Sequence, residues 1–157
     1  EVEKLVRWMK YHPEGERGLF LGSYEAEFGA KPAPQHVAES NRDRWTVIQI
    51  ETAEAVECVE GIAAVGGVDC LFVGPSDLSN NLGKPGNPMD SHVLAAIERI
   101  AAAAKANGKP WGVLSKTEEF ALKCRELGCQ LFSIAGDLDY ISRGIAATKS
   151  QFPAFFK

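Results

Sequence analysis

Cysteine, histidine and positive charge are scarce in this 157-residue sequence, and each shortage removes a class of protein. The four cysteines, Cys58, Cys70, Cys124 and Cys129, form no Cys-x-x-Cys pair. Neither a zinc knuckle nor a dithiol redox motif is spelled out. A disulfide framework is not expected in a chain that is 45% hydrophobic, and four reduced thiols point to the cytoplasm. Lys and Arg number 17 against 21 Asp and Glu, for a formal charge of −4, and no dense basic block occurs. That argues against nucleic acid or an anionic membrane as partner. No apolar run is long enough to span a bilayer. No signal peptide is visible, and the sequence opens on Glu1 with Val2, Leu5, Val6 and Met9 already at helical spacing. The expectation is a single domain over residues 1–157 that begins inside something longer.

What is present is a repeating pattern of short buried strands and amphipathic helices. The opening helix stops near His12-Pro13, because proline disfavours helix at the residue before it. From Glu14 to Asn41 the spacing predicts a long loop with a short helix over Gln35 to Asn41. Four strand-plus-helix units follow. The first pairs Val47–Ile50 with a helix from Thr52 to Ala64, whose inner face is Val56, Val59 and Ala63. The second pairs Leu71–Val73 with a helix from Ser91 to Asn107, striped by Leu94, Ile97, Ile100, Ala101 and Ala104 and stopped by Gly108. The third pairs Pro110–Leu114 with a helix opened by a capping box at Ser115 and Glu118 and ended at Gly128. The fourth pairs Gln130–Ala135 with a helix from Leu138 to Ser150. Such alternation indicates a parallel α/β architecture. Periodicity does not choose between an open sheet and a closed barrel, although Gln49 and Glu51 turn one strand face polar toward its end, as at a barrel mouth.

Two strands end in a carboxylate: Val47-Ile48-Gln49-Ile50-Glu51 and Cys70-Leu71-Phe72-Val73-Gly74-Pro75-Ser76-Asp77. Ligands of parallel sheets bind at the carboxyl ends of strands. Glu51 and Asp77 are therefore expected to meet there, and two converging carboxylates are best kept by a shared cation. The alternative is an ordinary acid at a helix start, where negative charge is favoured. Gln49 shares the strand face of Glu51 and can hydrogen-bond a ligand, or serve as a satisfied interior amide. Gly74 permits close backbone approach, and the amides of Ser76 and Asp77 can hold a substrate carboxylate, or simply form a strand-to-helix turn. Arg17 reads as a brace. His12, His36 and His92 titrate in the right range for a base but read as structural or bystander residues. Trp111 reads as core. Asp137 either approaches the site or caps the last helix.

The blocks Gln49-Ile50-Glu51-Thr52, Gly67-Val68-Asp69, Phe72-Val73-Gly74-Pro75-Ser76-Asp77-Leu78-Ser79 and Leu82-Gly83 resemble the HpcH/HpaI aldolase family. Tyr11-His12-Pro13, Gly15-Glu16-Arg17-Gly18 and Ile134-Ala135-Gly136-Asp137 also fit. The resemblance implies a partial (β/α)₈ TIM barrel, roughly strands five to eight, with the first half of the barrel absent. It implies a class II pyruvate aldolase: divalent-metal-dependent retro-aldol cleavage of a 4-hydroxy-2-oxo acid, of the 2-keto-3-deoxy sugar acid type, to pyruvate and an aldehyde. By the same resemblance Glu51 and Asp77 are ligands of Mg²⁺ or Mn²⁺, and Gln49, Ser76 and Asp77 bind substrate. The histidine base and a substrate-binding arginine are expected in the other half. A homo-oligomer that exchanges its last helix is implied as well. The sequence departs from the family at Leu19 to Tyr24, where an arginine-containing loop is usual, and at Ser76, where alanine is common. Two other readings stand beside this one. A citrate lyase beta-like or acyl-CoA lyase would need a basic cluster for coenzyme A phosphates, and none is evident. A catalytically incompetent barrel fragment would act only through association, by way of its exposed strand edges.

Overall fold

The computed structural model describes residues 1–156. Four parallel strands form one sheet in the order β1 (Val47–Ile50), β2 (Cys70–Val73), β3 (Trp111–Leu114) and β4 (Leu131–Ser133). Sequential parallel neighbours, each joined by a helical crossover, are the repeating unit of an α/β barrel wall. Before β1 come α1 (Val2–Met9), a 3₁₀ turn at Tyr24–Gly29 and α2 (Ala33–Asp43). The crossovers carry α3 (Ala53–Glu57) and α4 (Val59–Ala64), α5 (Pro75–Asn81) and α6 (Ser91–Ala106), and α7 (Glu118–Glu126); α8 (Asp137–Gln151) closes the chain.

The two sheet faces have different fates. In β1, Ile48 and Ile50 are buried while Val47 and Gln49 are exposed. The buried side meets α3, α4 and α6, where Val56, Val59, Ala63, Val93, Ile97 and Ile100 build the core. Register carries the other face across the sheet: Gln49 sits beside Phe72, Phe72 beside Gly112, and Gly112 beside Leu131. A side chain at Gly112 would strike Phe72 and Leu131, so glycine lets those two larger residues cover the middle of this face. Phe72 is half-buried and Leu131 is exposed. This face corresponds to the lumen side of a barrel, and here it lies open.

Local chemistry sets the element ends, and several differ from the sequence expectation. The helix expected over Thr52–Ala64 is broken at Cys58. Arg99 reaches across from α6, donating from Nη2 to the Glu57 carbonyl (3.0 Å) and pairing with Glu60. In an unbroken helix that carbonyl would accept from residue 61; an inserted side-chain donor is a recognised cause of a helix break. The inner-face residues Val56, Val59 and Ala63 are nonetheless buried as expected. The capping box expected at Ser115 and Glu118 is replaced by a cap at Thr117, whose Oγ1 accepts from the Phe120 amide. Ser115 is still committed to the sheet, its amide donating to the Ser133 carbonyl (2.8 Å), so the helix starts later. The short helix expected at Gln35–Asn41 extends to Ala33–Asp43. Pro34 falls in its first turn, where a missing amide hydrogen costs nothing. The fourth strand shrinks to Leu131–Ser133.

No helix among the described residues is long and apolar enough to cross a membrane.

Candidate metal and keto-acid site

β1 and β2 end level with one another. Ile50 is in register with Val73, and the Gly74 amide extends the pairing by donating to the Ile50 carbonyl (3.2 Å). Glu51 and Gly74 are therefore neighbours at the carboxyl lip of the sheet. Gln49, on the same face as Glu51, donates from Nε2 to Glu51 Oε2 (2.5 Å). That bond fixes one carboxylate oxygen and leaves Oε1 available. A Cβ built on Gly74 would lie 2.7 Å from Glu51 Oε2 and 2.8 Å from Gln49 Nε2. Only glycine leaves room for both side chains to cross the β1–β2 seam.

Directly after Gly74 the chain enters α5, with Pro75 at its first position. Leu78 and Ser79 are buried and seat this helix on the core, while Ser76 and Asp77 in its first turn are exposed. Asp77 is followed one turn later by Asn81, and residues four apart share a helix face. Asn81 Oδ1 accepts from the Ala53 amide (2.7 Å), at the turn just beyond Glu51. Thr52, between Glu51 and Ala53, caps α3 by accepting from the Ala55 amide. The face of α5 that carries Asp77 thus adjoins the turn that carries Glu51.

This arrangement suits a hard divalent cation. Two anionic oxygen donors, one of them oriented by a neighbouring amide, match the preference of Mg²⁺ and Mn²⁺ for few protein carboxylates with other positions left open. The space a Cβ at Gly74 would fill lies against the Glu51 carboxylate. Among the described residues no three His, Cys, Asp or Glu side chains gather into a larger ligand set.

The remaining candidates lie elsewhere. His36 is buried, with Nε2 3.2 Å from the Tyr11 hydroxyl, and Asn41 pairs reciprocally with the Tyr11 backbone. Arg17 lies over the Tyr11 ring and donates to Glu25, which also accepts from Arg44. That hydrogen bond from Arg44 is the main reason the Glu25 carboxyl titrates below its usual range. These contacts brace α1 and the long loop against α2. His12 and His92 are exposed, the latter beside Asp90, which caps α6. Trp111 is core. Asp137 opens α8 and accepts from the Leu138 amide, while Asp139 holds the Gly136 amide. Cys70, Cys124 and Cys129 are buried thiols; burial pushes Cys124 up to about 12 and Cys129 up to about 11, which leaves them protonated and inert. Asn81 is the residue that sequence reading passed over. Its spacing from Asp77 was the available signal, but an exposed Asn near a helix end has many ordinary uses.

A parallel sheet of four βα units, with Glu51 at its carboxyl lip and Asp77 in the first turn of the helix that follows β2, is a segment of an α/β barrel. The comparisons assign it more narrowly. The family model for HpcH/HpaI aldolase/citrate lyase matches residues 1–143, and the chain belongs to that family. A pyruvate aldolase of Rhizobium etli is 37% identical over 152 residues, covering 97% of this chain and 59% of the relative. A 5-keto-4-deoxy-D-glucarate aldolase of Citrobacter koseri is 38% identical over 157 residues, covering 100% and 59%. The crystal structure of an HpcH/HpaI aldolase/citrate lyase family protein from Burkholderia cenocepacia superposes with a TM-score of 0.83 at 31% identity, covering 97% of this chain and 60% of that one. The chain thus spans about three-fifths of the length of these relatives, and its fold is a partial (β/α)₈ barrel.

Proposed function

We propose that these residues form the metal-bearing part of a class II aldolase that cleaves a 4-hydroxy-2-oxo acid, of the 2-keto-3-deoxy sugar acid type, to pyruvate and an aldehyde. Family membership and the names of the relatives support an aldolase-type lyase. The observation that carries the site assignment is the Glu51 carboxylate, held through one oxygen by Gln49, beside Gly74 and the first turn of α5. Mg²⁺ or Mn²⁺ held by Glu51 and Asp77 would supply Lewis acidity toward the carboxylate and ketone oxygens of the 2-oxo acid.

The protein groups do the rest of the positioning. Gln49 orients Glu51 and offers its amide to the ketone side of the substrate. Ser76 and the backbone amides of Ser76 and Asp77 face the substrate carboxylate. Cleavage removes the proton from the C4 hydroxyl, breaks the C3–C4 bond and leaves the electron pair on the pyruvate fragment, which takes a proton at C3. His36 is engaged with Tyr11 in the brace, and His12 and His92 lie on the surface away from the lip. The base therefore belongs to the remainder of the barrel. That remainder would adjoin the free sheet edges, β1 and β4. We place the enzyme in the cytoplasm, where its buried free thiols stay reduced.

We also assign the protein to a homo-oligomer. α8 has no buried residue and exposes Leu138, Tyr140, Ile141 and Ile145. Apolar surface of this kind marks an interface, with a second copy or with the part of the barrel that this chain does not span.

In the whole enzyme, Glu51→Gln and Asp77→Asn are each expected to lower kcat about a thousandfold, the equivalent of about 4 kcal/mol of lost charge stabilisation. Activity of the unaltered enzyme should vanish with EDTA and return with Mn²⁺. Chelator-resistant turnover at the native rate in either variant would refute the assignment.

A further inference from the structure

We propose that Asn81 is a positioning residue for the cation site, a clamp that holds the Asp77 helix against the Glu51 turn. The inference rests on the assignment of Glu51 and Asp77 as ligands. It adds a residue that touches neither substrate nor metal.

The two carboxylates reach the site by different routes. Glu51 hangs from the end of β1, whose position the sheet fixes through the Gly74 amide and Ile50 carbonyl. Asp77 rides on α5, a helix of only seven residues. A helix this short has little stability of its own. Its buried anchors, Leu78 and Ser79, hold one side of it to the core. The side that carries Asp77 has a separate tie: Asn81 Oδ1 accepts the Ala53 amide at 2.7 Å. Ala53 opens α3, so its amide is one of the donors a helix start leaves without an intrahelical partner. The neighbouring Thr52 side chain is used on the Ala55 amide, one turn-position further in. Asn81 therefore answers a backbone need at the Glu51 turn with a side chain one helical turn, about 6 Å, from Asp77. One hydrogen bond couples the spacing of the two ligands, as groups behind metal ligands commonly do.

The effect belongs to metal affinity rather than to the fold. The bond lies at the surface, so water can replace it when it is lost. Asn81→Leu removes the acceptor at similar size; Asn81→Asp keeps an acceptor oxygen in the same place. The test is a Mn²⁺ titration of the whole enzyme, followed by electron paramagnetic resonance, together with melting curves in EDTA. Asn81→Leu should bind Mn²⁺ about tenfold more weakly, with its metal-free melting temperature unchanged, and Asn81→Asp should restore the affinity. Native Mn²⁺ affinity in Asn81→Leu would overturn the proposal. So would a lowered metal-free melting temperature that Asn81→Asp does not repair, since that is the mark of a merely structural residue. Glu51→Gln, titrated in parallel, separates the two levels: if it binds Mn²⁺ as the unaltered enzyme does, the ligand assignment itself falls, and the clamp with it.

Discussion

Gly74 shows how much one missing carbon can govern. The Glu51 carboxylate and the Gln49 amide meet above it, and a methyl there would sit within 3.1 Å of three of their atoms. Gly74→Ala is therefore expected to displace both side chains. Their hydrogen bond would break, and Mn²⁺ affinity of the whole enzyme would fall about tenfold, a change that calorimetric titration can read. Native affinity in Gly74→Ala would mean that Glu51 does not need this seat. Glu51 and Asp77 stood out in the sequence as candidate ligands because each lies in a family-like block; Glu51 directly follows β1, whereas Asp77 sits in the first turn of α5, four residues beyond the end of β2. The Gln49–Glu51 hydrogen bond was not legible there, since spacing gives a shared face but not which side chain bends toward which. The sequence read the histidines as structural or bystander residues; that His36 is a buried partner of Tyr11 appears only in three dimensions.

At the scale of elements, the α3–α4 break is held by the Arg99–Glu60 pair, with both oxygens of Glu60 engaged at 2.8 and 2.9 Å. The Arg99 side chain lowers the Glu60 carboxyl from 4.5 to about 2. A carboxyl depressed in the folded state favours folding above its unfolded value and loses that contribution as pH falls through the folded value. The difference in melting temperature between the native protein and Glu60→Gln should thus be largest above pH 4.5 and shrink toward about pH 2. A difference that stays constant over that range would show that the charge of Glu60 is idle. Both groups are at the surface, so the effect should be small and reduced by salt. Helix existence followed from apolar spacing; helix ends did not. A single arginine from a distant helix splits one element, and a sheet hydrogen bond at Ser115 delays another. Contacts of that kind join residues far apart in sequence, which a local pattern does not encode.

The described residues form a sheet with one face packed and the other open, as a partial barrel does. Its α6 side is a continuous core, while Val47, Gln49 and Leu131 face outward and α8 buries nothing. Ile141 and Ile145 are one turn apart on an exposed face of α8. If that face is the interface between copies, the double substitution Ile141→Lys and Ile145→Lys should shift the protein toward monomer. Light scattering behind size-exclusion chromatography measures this, and an unchanged oligomer would place the interface elsewhere.

From the sequence alone came the parallel βα order, the inner faces of the helices, the family and the candidacy of two acidic positions, because all of these are written in local periodicity and short contiguous blocks. Tertiary structure decided the rest: that β1 and β2 end level, that Gly74 yields its space to Glu51 and Gln49, and that Asn81 ties α5 to the start of α3. Those outcomes depend on register and on hydrogen bonds between segments tens of residues apart, and only the folded chain brings such segments together.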